Sequence, residues 1–219
     1  PGIPPLVLLV TAVCLVLMPR GVPLRWLAIP VLGIVCQPPA PRLAPGEFEL
    51  PLLDVGQGLG SVIETRRHML IFDTGPEYPS GFSTAAAVIH PFLRTRGSRR
   101  IDRLILSHGD KDHAGGVEYL RANLEVAQVQ SGEPGRIGTG VTQCVAGERW
   151  QWDGVDLELL HPPAESRLSG NDASSVLRIS TTAGSVLFTG DIGRRVEKRL
   201  VRDHAAELRS RLVVAAHHG

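Results

Sequence analysis

What most restricts this chain is where its histidines and aspartates fall: at the ends of short apolar runs. The densest group, Ser107-His108-Gly109-Asp110-Lys111-Asp112-His113, follows the apolar run 101–106. Asp73-Thr74-Gly75 follows 68–72, Gly190-Asp191 follows 185–189, and His217-His218 follows 212–216. Asn171-Asp172 stands just ahead of 174–180. Strand ends are where a sheet scaffold presents side chains from several loops to one edge. Imidazole and carboxylate together suit divalent first-row cations, and carboxylate oxygen shifts preference toward harder ions such as manganese. His108, Asp110, Asp112 and His113 put four such groups into six residues. A metal site is therefore expected there, in preference to a capping loop with incidental histidines.

The spacing lets His108 and Asp110 face one point and Asp112 and His113 a second. Asp191, with two carboxylate oxygens to share, is the candidate bridge between two cations. Asp73 is expected behind the ligands, orienting them or their loop. His217 and His218 are neighbours at the end of a strand, so they point to opposite faces. One of the two is expected to bind metal, and the other to meet substrate or protonate the leaving group. Asn171-Asp172 offers a ligand from a further loop, with an Asx turn as the alternative. His161, in Leu160-His161-Pro162-Pro163, could approach the site but is expected in a loop, and His204 is expected on a surface helix.

Short β-prone runs are expected at 48–55, 61–65, 68–72, 101–106, 126–130, 155–160, 174–180, 185–189 and 212–216. Helices are expected over 83–96, with Pro91 kinking or ending it, and from 116 to 123. Val196, Leu200, Leu208 and Leu212 recur at helical spacing, so 194–211 is expected to be one amphipathic helix. Residues 132–147 look loop-rich. Strands first, then strands mixed with helices, indicate an α/β (α+β) chain with two sheets between helices.

The front differs. Residues 6–18 are apolar apart from Thr11, and a second apolar stretch, 22–36, is broken by Pro23, Arg25 and Pro30. Neither reaches the roughly 20 residues of a full membrane span. The expectation is a short membrane-helix segment, residues 1–36, ending a multi-helix membrane domain with Arg20 and Arg25 at an interface. Residues 37–46 hold Pro38, Pro39, Pro41 and Pro45 and form a stiff linker. A soluble domain over 47–219 follows. A start at Pro1 and a stop directly after the His pair lead to the expectation of a piece cut from a longer protein.

The formal charge is +1 over 219 residues, which rules out a bulk basic signature. Local basic clusters remain at 94–100, which holds Arg96, Arg99 and Arg100, and along 194–211, with solvated surface as the alternative to a binding face. Three cysteines without a C-x-x-C pair exclude a disulfide framework. No nucleotide cofactor is expected. Gly56-Gln57-Gly58-Leu59-Gly60 looks like a dinucleotide loop, but a strand-like segment follows it where a helix is required. Neither a P-loop nor a G-x-S-x-G elbow occurs.

These residues resemble the metallo-β-lactamase superfamily, whose fold is an αββα sandwich with a two-metal site at one edge. Leu53-Asp54-Val55-Gly56-Gln57-Gly58, the run 107–116, Asn171-Asp172, Leu187-Phe188-Thr189-Gly190-Asp191 and His217-His218-Gly219 are similar to the C-terminal domain of ComEC-type DNA-internalisation competence proteins. The wider superfamily carries H-x-H-x-D-H, whereas Asp110 stands here at the second histidine, and its usual third-motif histidine is absent. Those departures argue against a lactamase, glyoxalase or lactonase.

The resemblance implies an inner-membrane, multi-pass channel for DNA uptake in natural transformation, with single-stranded DNA, the membrane and the uptake machinery as partners. It implies a nuclease that hydrolyses single-stranded DNA with a hydroxide activated by two divalent ions, Mn2+ or Zn2+. His108, Asp110 and Asp172 would hold one ion, Asp112, His113 and His217 the other, with Asp191 between. Asp112, Asp191 and His218 would be catalytic, and Arg96, Arg99 and Arg100 would steer a DNA backbone. Two alternatives stay open: a hydrolase of a small phosphodiester or phosphocholine ester, and a non-catalytic, metal-stabilised module of the channel.

Overall fold

The computed structural model of the chain describes residues 5–19, 23–35 and 42–215, so His217, His218, Arg20 and Cys36 lie outside the described residues. The chain divides into two compact units, 1–41 and 42–219. In the first, α1 (Pro5–Leu17) packs against α2 (Ala28–Val35). Ala12 and Ala28 are buried, while Leu6, Leu17, Trp26 and Ile29 are exposed. Arg25 donates to the Val16 carbonyl at 3.0 Å. Among the described residues no helix is long and apolar enough to cross a membrane.

The second unit begins with β1 (Gly60–Glu64) and β2 (Met69–Thr74), an antiparallel pair. A π-helical turn, Ala85–Ile89, runs into α3 (His90–Thr95). Pro91 lacks the N–H that a regular helix would aim at the Ala87 carbonyl, and the helix widens just before it. Then come β3 (Arg100–Ile101), β4 (Arg103–Leu106), α4 (Lys111–Ala114), α5 (Val117–Asn123), β5 (Glu125–Val126) and β6 (Val129–Ser131). After α6 (Pro134–Ile137) and β7 (Thr142–Gln143), the second sheet is built from β8 (Arg149–Trp152), β9 (Val155–His161), β10 (Val176–Thr181) and β11 (Gly184–Phe188). Last are α7 (Arg194–Asp203) and β12 (Leu212–Val214).

The sheets have orders β1-β2-β4-β6-β7 and β12-β11-β10-β9-β8. Strand alternation sorts the apolar residues into three layers. Leu70, Phe72 and Ile105 meet Leu157, Leu177 and Phe188 between the sheets, with the Phe72 and Phe188 rings stacked at 4.9 Å. Ile71, Leu104 and Leu106 face the helices on one side, against Ile89, Leu93 and Leu120. Leu160, Val176 and Leu187 cover the other sheet's outer face with Val196 and Leu200 of α7. Helix, sheet, sheet, helix is the αββα sandwich. Each fully buried large side chain contributes about 1.5–3 kcal/mol.

Several segments differ from the sequence expectation. Residues 48–55 form only the bridges Glu49↔Glu64 and Leu52↔Ser61, because Pro51 between them has no N–H for a ladder. The run 101–106 breaks at Asp102, whose backbone N–H and side chain both bond Met69. The helix expected over 194–211 stops at Asp203. His204 leaves helical geometry, and a turn carries Leu208 back onto the same core. Strand β8 was not expected; its signal was Asp153-Gly154, with φ of 51° and 86°, the two-residue turn that joins β8 to β9.

Asp153 also ties this hairpin to the β1–β2 turn. Its side chain is 1% exposed and accepts bonds from Thr65 Oγ1 at 2.8 Å, Arg67 N at 2.8 Å and Arg67 Nε at 3.0 Å, with His68 Nδ1 at 3.1 Å. Burial raises its pKa, but these hydrogen bonds outweigh burial and hold it well below the ordinary carboxylate range. A depressed carboxylate contributes stability above its unfolded pKa of about 3.9 and loses it as pH falls toward the folded value. Asp153→Asn is therefore expected to unfold in urea with about 2 kcal/mol less stability at pH 7. The gap from the parent should shrink once the pH falls below about 3. Equal stability at pH 7 would show that this network contributes nothing.

Candidate metal centre

Parallel pairing of β2 with β4, β4 with β6 and β11 with β12 aligns their C-terminal ends. Asp73, Ser107-His108 and Glu133 leave the first sheet at that edge, and Asp191 leaves the second. There His108, His113 and Asp191 offer one ligand atom each, all within 4.8 Å of one another and all from buried residues. His108 Nε2 lies 3.3 Å from Asp110 Oδ2, and His113 Nε2 lies 3.8 Å from Asp112 Oδ2. Asp191 Oδ2 is 3.4 Å from His113 Nε2. The buried trio takes one imidazole from each of these His–Asp pairs together with Asp191.

The rings are held from behind. Asp73 is fully buried, with Oδ2 2.8 Å from His113 Nδ1 and Oδ1 accepting the Ser107 N–H at 2.6 Å. Its φ of 59° turns the carboxylate out of the strand toward the imidazole. His108 Nδ1 lies 3.0 Å from Ser107 Oγ and 3.3 Å from Ser174 Oγ, so its Nε2 is the atom left for a ligand. Ser107 is fully buried and positions a ring. Thr74 Oγ1 donates to the His113 carbonyl and accepts the Gly116 N–H, both at 3.0 Å, pinning α4 to β2.

Two glycines make the close approaches possible. A Cβ on Gly58 (φ +109°) would stand 2.0 Å from the Asp112 carbonyl oxygen, so the glycine-rich loop packs on the ligand run. A Cβ on Gly190 (φ +54°) would meet the Ser174 and Ser107 side chains at 2.8 and 2.9 Å.

Burial pulls the His113 imidazole down, but Asp73 and Asp191 outweigh it and push it up to about 11. This edge thus concentrates buried carboxylates that demand positive charge, and a mixed imidazole–carboxylate set fits a divalent cation. Asp110 is raised by burial, yet Arg136 and His108 hold it below the ordinary carboxylate range.

Sequence reasoning missed Glu133 and Arg136, from the segment read as loop. Glu133 Oε2 accepts the Gly109 N–H at 3.3 Å and Oε1 the Gly170 N–H at 3.1 Å, joining two site loops. Arg136 Nη1 is 2.8 Å from Asp110 Oδ1 and 3.2 Å from Glu133 Oε2. Their signal was position: Glu133-Pro134 follows the β6 run as His108 follows β4. His161 also departs from expectation. It ends β9, is buried, and has Nδ1 2.9 Å from the Ser174 carbonyl oxygen.

Asp172 and Asn171 sit on a 3-10 turn, Gly170–Ala173. Asp172 Oδ1 accepts the Gly193 N–H at 3.2 Å, and the Asn171 carbonyl accepts the Ser174 N–H at 3.0 Å. His217 and His218 lie outside the described residues. The basic candidates 96–100 are at the other end of β4 from the ligand run. Arg96 pairs with Glu49 at 2.7 Å and caps the Phe92 ring, and Arg100 pairs with Asp102 and Glu125. Those two guanidiniums are engaged by carboxylates of the fold, away from the site edge, which weakens the case for DNA contact through them.

A buried His/Asp group at the strand ends of an αββα sandwich defines a metallo-hydrolase scaffold. The sequence pattern of the metallo-beta-lactamase superfamily matches residues 53–216, and the chain belongs to that superfamily. It is 37% identical to "Competence protein ComA" of Neisseria gonorrhoeae over 98% of this chain and 30% of that protein. It is 34% identical to "Recombination protein 2" of Haemophilus influenzae over 74% of this chain and 20% of that protein. The chain thus spans under a third of the length of these relatives. The fold is shared with MEM-A1, a subclass B3 metallo-beta-lactamase isolated from a soil metagenome library, at a TM-score of 0.54 and 14% identity, covering 83% and 80% of the two chains.

Proposed function

We propose that this chain is the metal-dependent phosphodiesterase part of a membrane protein for DNA uptake, and that it cleaves single-stranded DNA. The observation carrying the hydrolase reading is the buried His108, His113 and Asp191 group, with Asp73 and Ser107 fixing the two rings. The DNA substrate, the inner-membrane setting and the uptake role are supported by the competence and recombination names of the relatives. The exposed apolar face of the α1–α2 hairpin supports membrane association.

Two divalent cations, Mn2+ or Zn2+, are the proposed cofactors, held by His108, Asp110 and Asp172 on one side and Asp112, His113 and His217 on the other, with Asp191 between. Bound there, divalent cations supply Lewis acidity at a phosphoryl oxygen and activate water at neutral pH. The chain's own groups do the rest. Asp73 keeps His113 Nε2 aimed at Asp191, and Ser107 and Ser174 keep His108 Nε2 free for the site. Arg136 sets the Asp110 carboxylate. His218 is assigned the proton for the leaving oxygen.

Incubation of the chain with single-stranded DNA and Mn2+ or Zn2+ is expected to give fragments, and EDTA to stop their formation. Turnover of bis(p-nitrophenyl) phosphate without DNA cleavage would instead favour a small-diester hydrolase. Full metal occupancy with neither reaction would favour a non-catalytic module.

A further inference from the structure

Helix α7 begins three residues after Asp191 and is basic on one side. Arg194, Arg195, Lys198, Arg199 and Arg202 are all exposed and line an open concavity of ≈ 610 Å³. At ~100° per residue they fill a continuous arc of about 140°. Val196 and Leu200, on the opposite face, are buried against the sheet. Asp203 pairs with Arg202 at 2.7 Å and lies 3.7 Å from Arg199. Among the described residues, no carboxylate forms an ion pair with Arg194, Arg195 or Lys198.

We propose that this face of α7 is a track for the phosphate backbone of a single-stranded nucleic acid, delivering it to Asp191. The inference rests on the phosphodiesterase reading above and replaces 96–100 as the basic surface. Position favours it: three residues of chain put Arg194 within about 11 Å of Asp191. Length favours it too. Ten helical residues span about 15 Å, room for about four phosphates at ~3.4 Å each along a stacked strand. An anionic membrane is the weaker partner. A surface-lying helix inserts its apolar face, and here Val196 and Leu200 are turned into the core.

The test is binding of a labelled oligothymidylate to the whole chain in EDTA, so that no strand is cut. The triple variant R194E/R195E/K198E is expected to lose more than tenfold in affinity at ~0.1 M salt. R194A/R195A/K198A, which alters only exposed positions, is expected to lower the slope of log affinity against log salt by about 2. Arg99→Glu is expected to bind as the parent does. Thermal melting confirms folding, and the alanine triple decides the question if the charge reversal unfolds. Failure of the parent to bind, or unchanged affinity and slope in the alanine triple, overturns the track. So does loss of binding to phosphatidylserine vesicles with oligonucleotide binding intact. Turnover of bis(p-nitrophenyl) phosphate with Mn2+ is measured separately on the parent. Binding that depends on α7 without any turnover keeps the track and sinks the hydrolase; turnover without oligonucleotide binding does the reverse.

Discussion

Asp191→Ala is expected to cut hydrolysis by about a thousandfold, equivalent to about 4 kcal/mol in the transition state. Asp191 supplies one of the three buried ligand atoms and lies 3.4 Å from His113 Nε2. Its backbone N–H donates to Ser174 Oγ at 3.1 Å, so the main chain stays anchored when the side chain is removed. The loss should therefore fall on metal affinity and turnover, with the fold retained. Even partners behind a ligand change metal affinity by about 10–100-fold, and a residue proposed to hold the metal directly should matter more. Metal content after dialysis and DNA cleavage, measured on the same preparation, check this. Parent-like cleavage by a folded Asp191→Ala chain would remove the metal centre from the mechanism.

Asp73→Ala should act mainly on stability. The carboxylate is fully buried and serves two partners, the Ser107 N–H at 2.6 Å and His113 Nδ1 at 2.8 Å. Breaking a buried charged pair from one side costs about 3–5 kcal/mol, and alanine adds about 1 kcal/mol at a left-handed position. For a domain of this size, that lowers Tm by roughly 10 °C or more. Asp73→Asn keeps an acceptor for Ser107 and tolerates positive φ, so it should recover much of the stability. It cannot restore the negative charge beside His113, and metal affinity should stay about 10–100-fold down. If Asp73→Asn bound metal as the parent does, Asp73 would be a structural residue only.

The buried candidate groups could be read from residue order, because they are local to strand ends. An apolar run closing on His or Asp says both where a strand stops and what it presents. Glu133 and Arg136 escaped because glutamate and arginine in a Gly- and Pro-rich segment have a solvated loop as their ordinary meaning. Only the β4–β6 pairing brings them beside Gly109 and Asp110. The basic cluster at 96–100 reads differently in the structure for the opposite reason. Charge at 96–100 was visible, but not Glu49, Glu64 and Glu125, which reach Arg96 and Arg100 from distant segments.

Residue order carried the resemblance that implied the αββα sandwich and the acidic replacement at Asp110, while patterning by itself reached two sheets between helices, since periodicity is a local property. Tertiary structure decided which groups meet. It joined His108 and His113 to Asp191 across about 80 residues of chain, put Asp73 behind one ring, and paired Arg96 and Arg100 with carboxylates from other segments. Strand pairing is a long-range choice, made by burying both faces of each sheet, and no short window of sequence contains it.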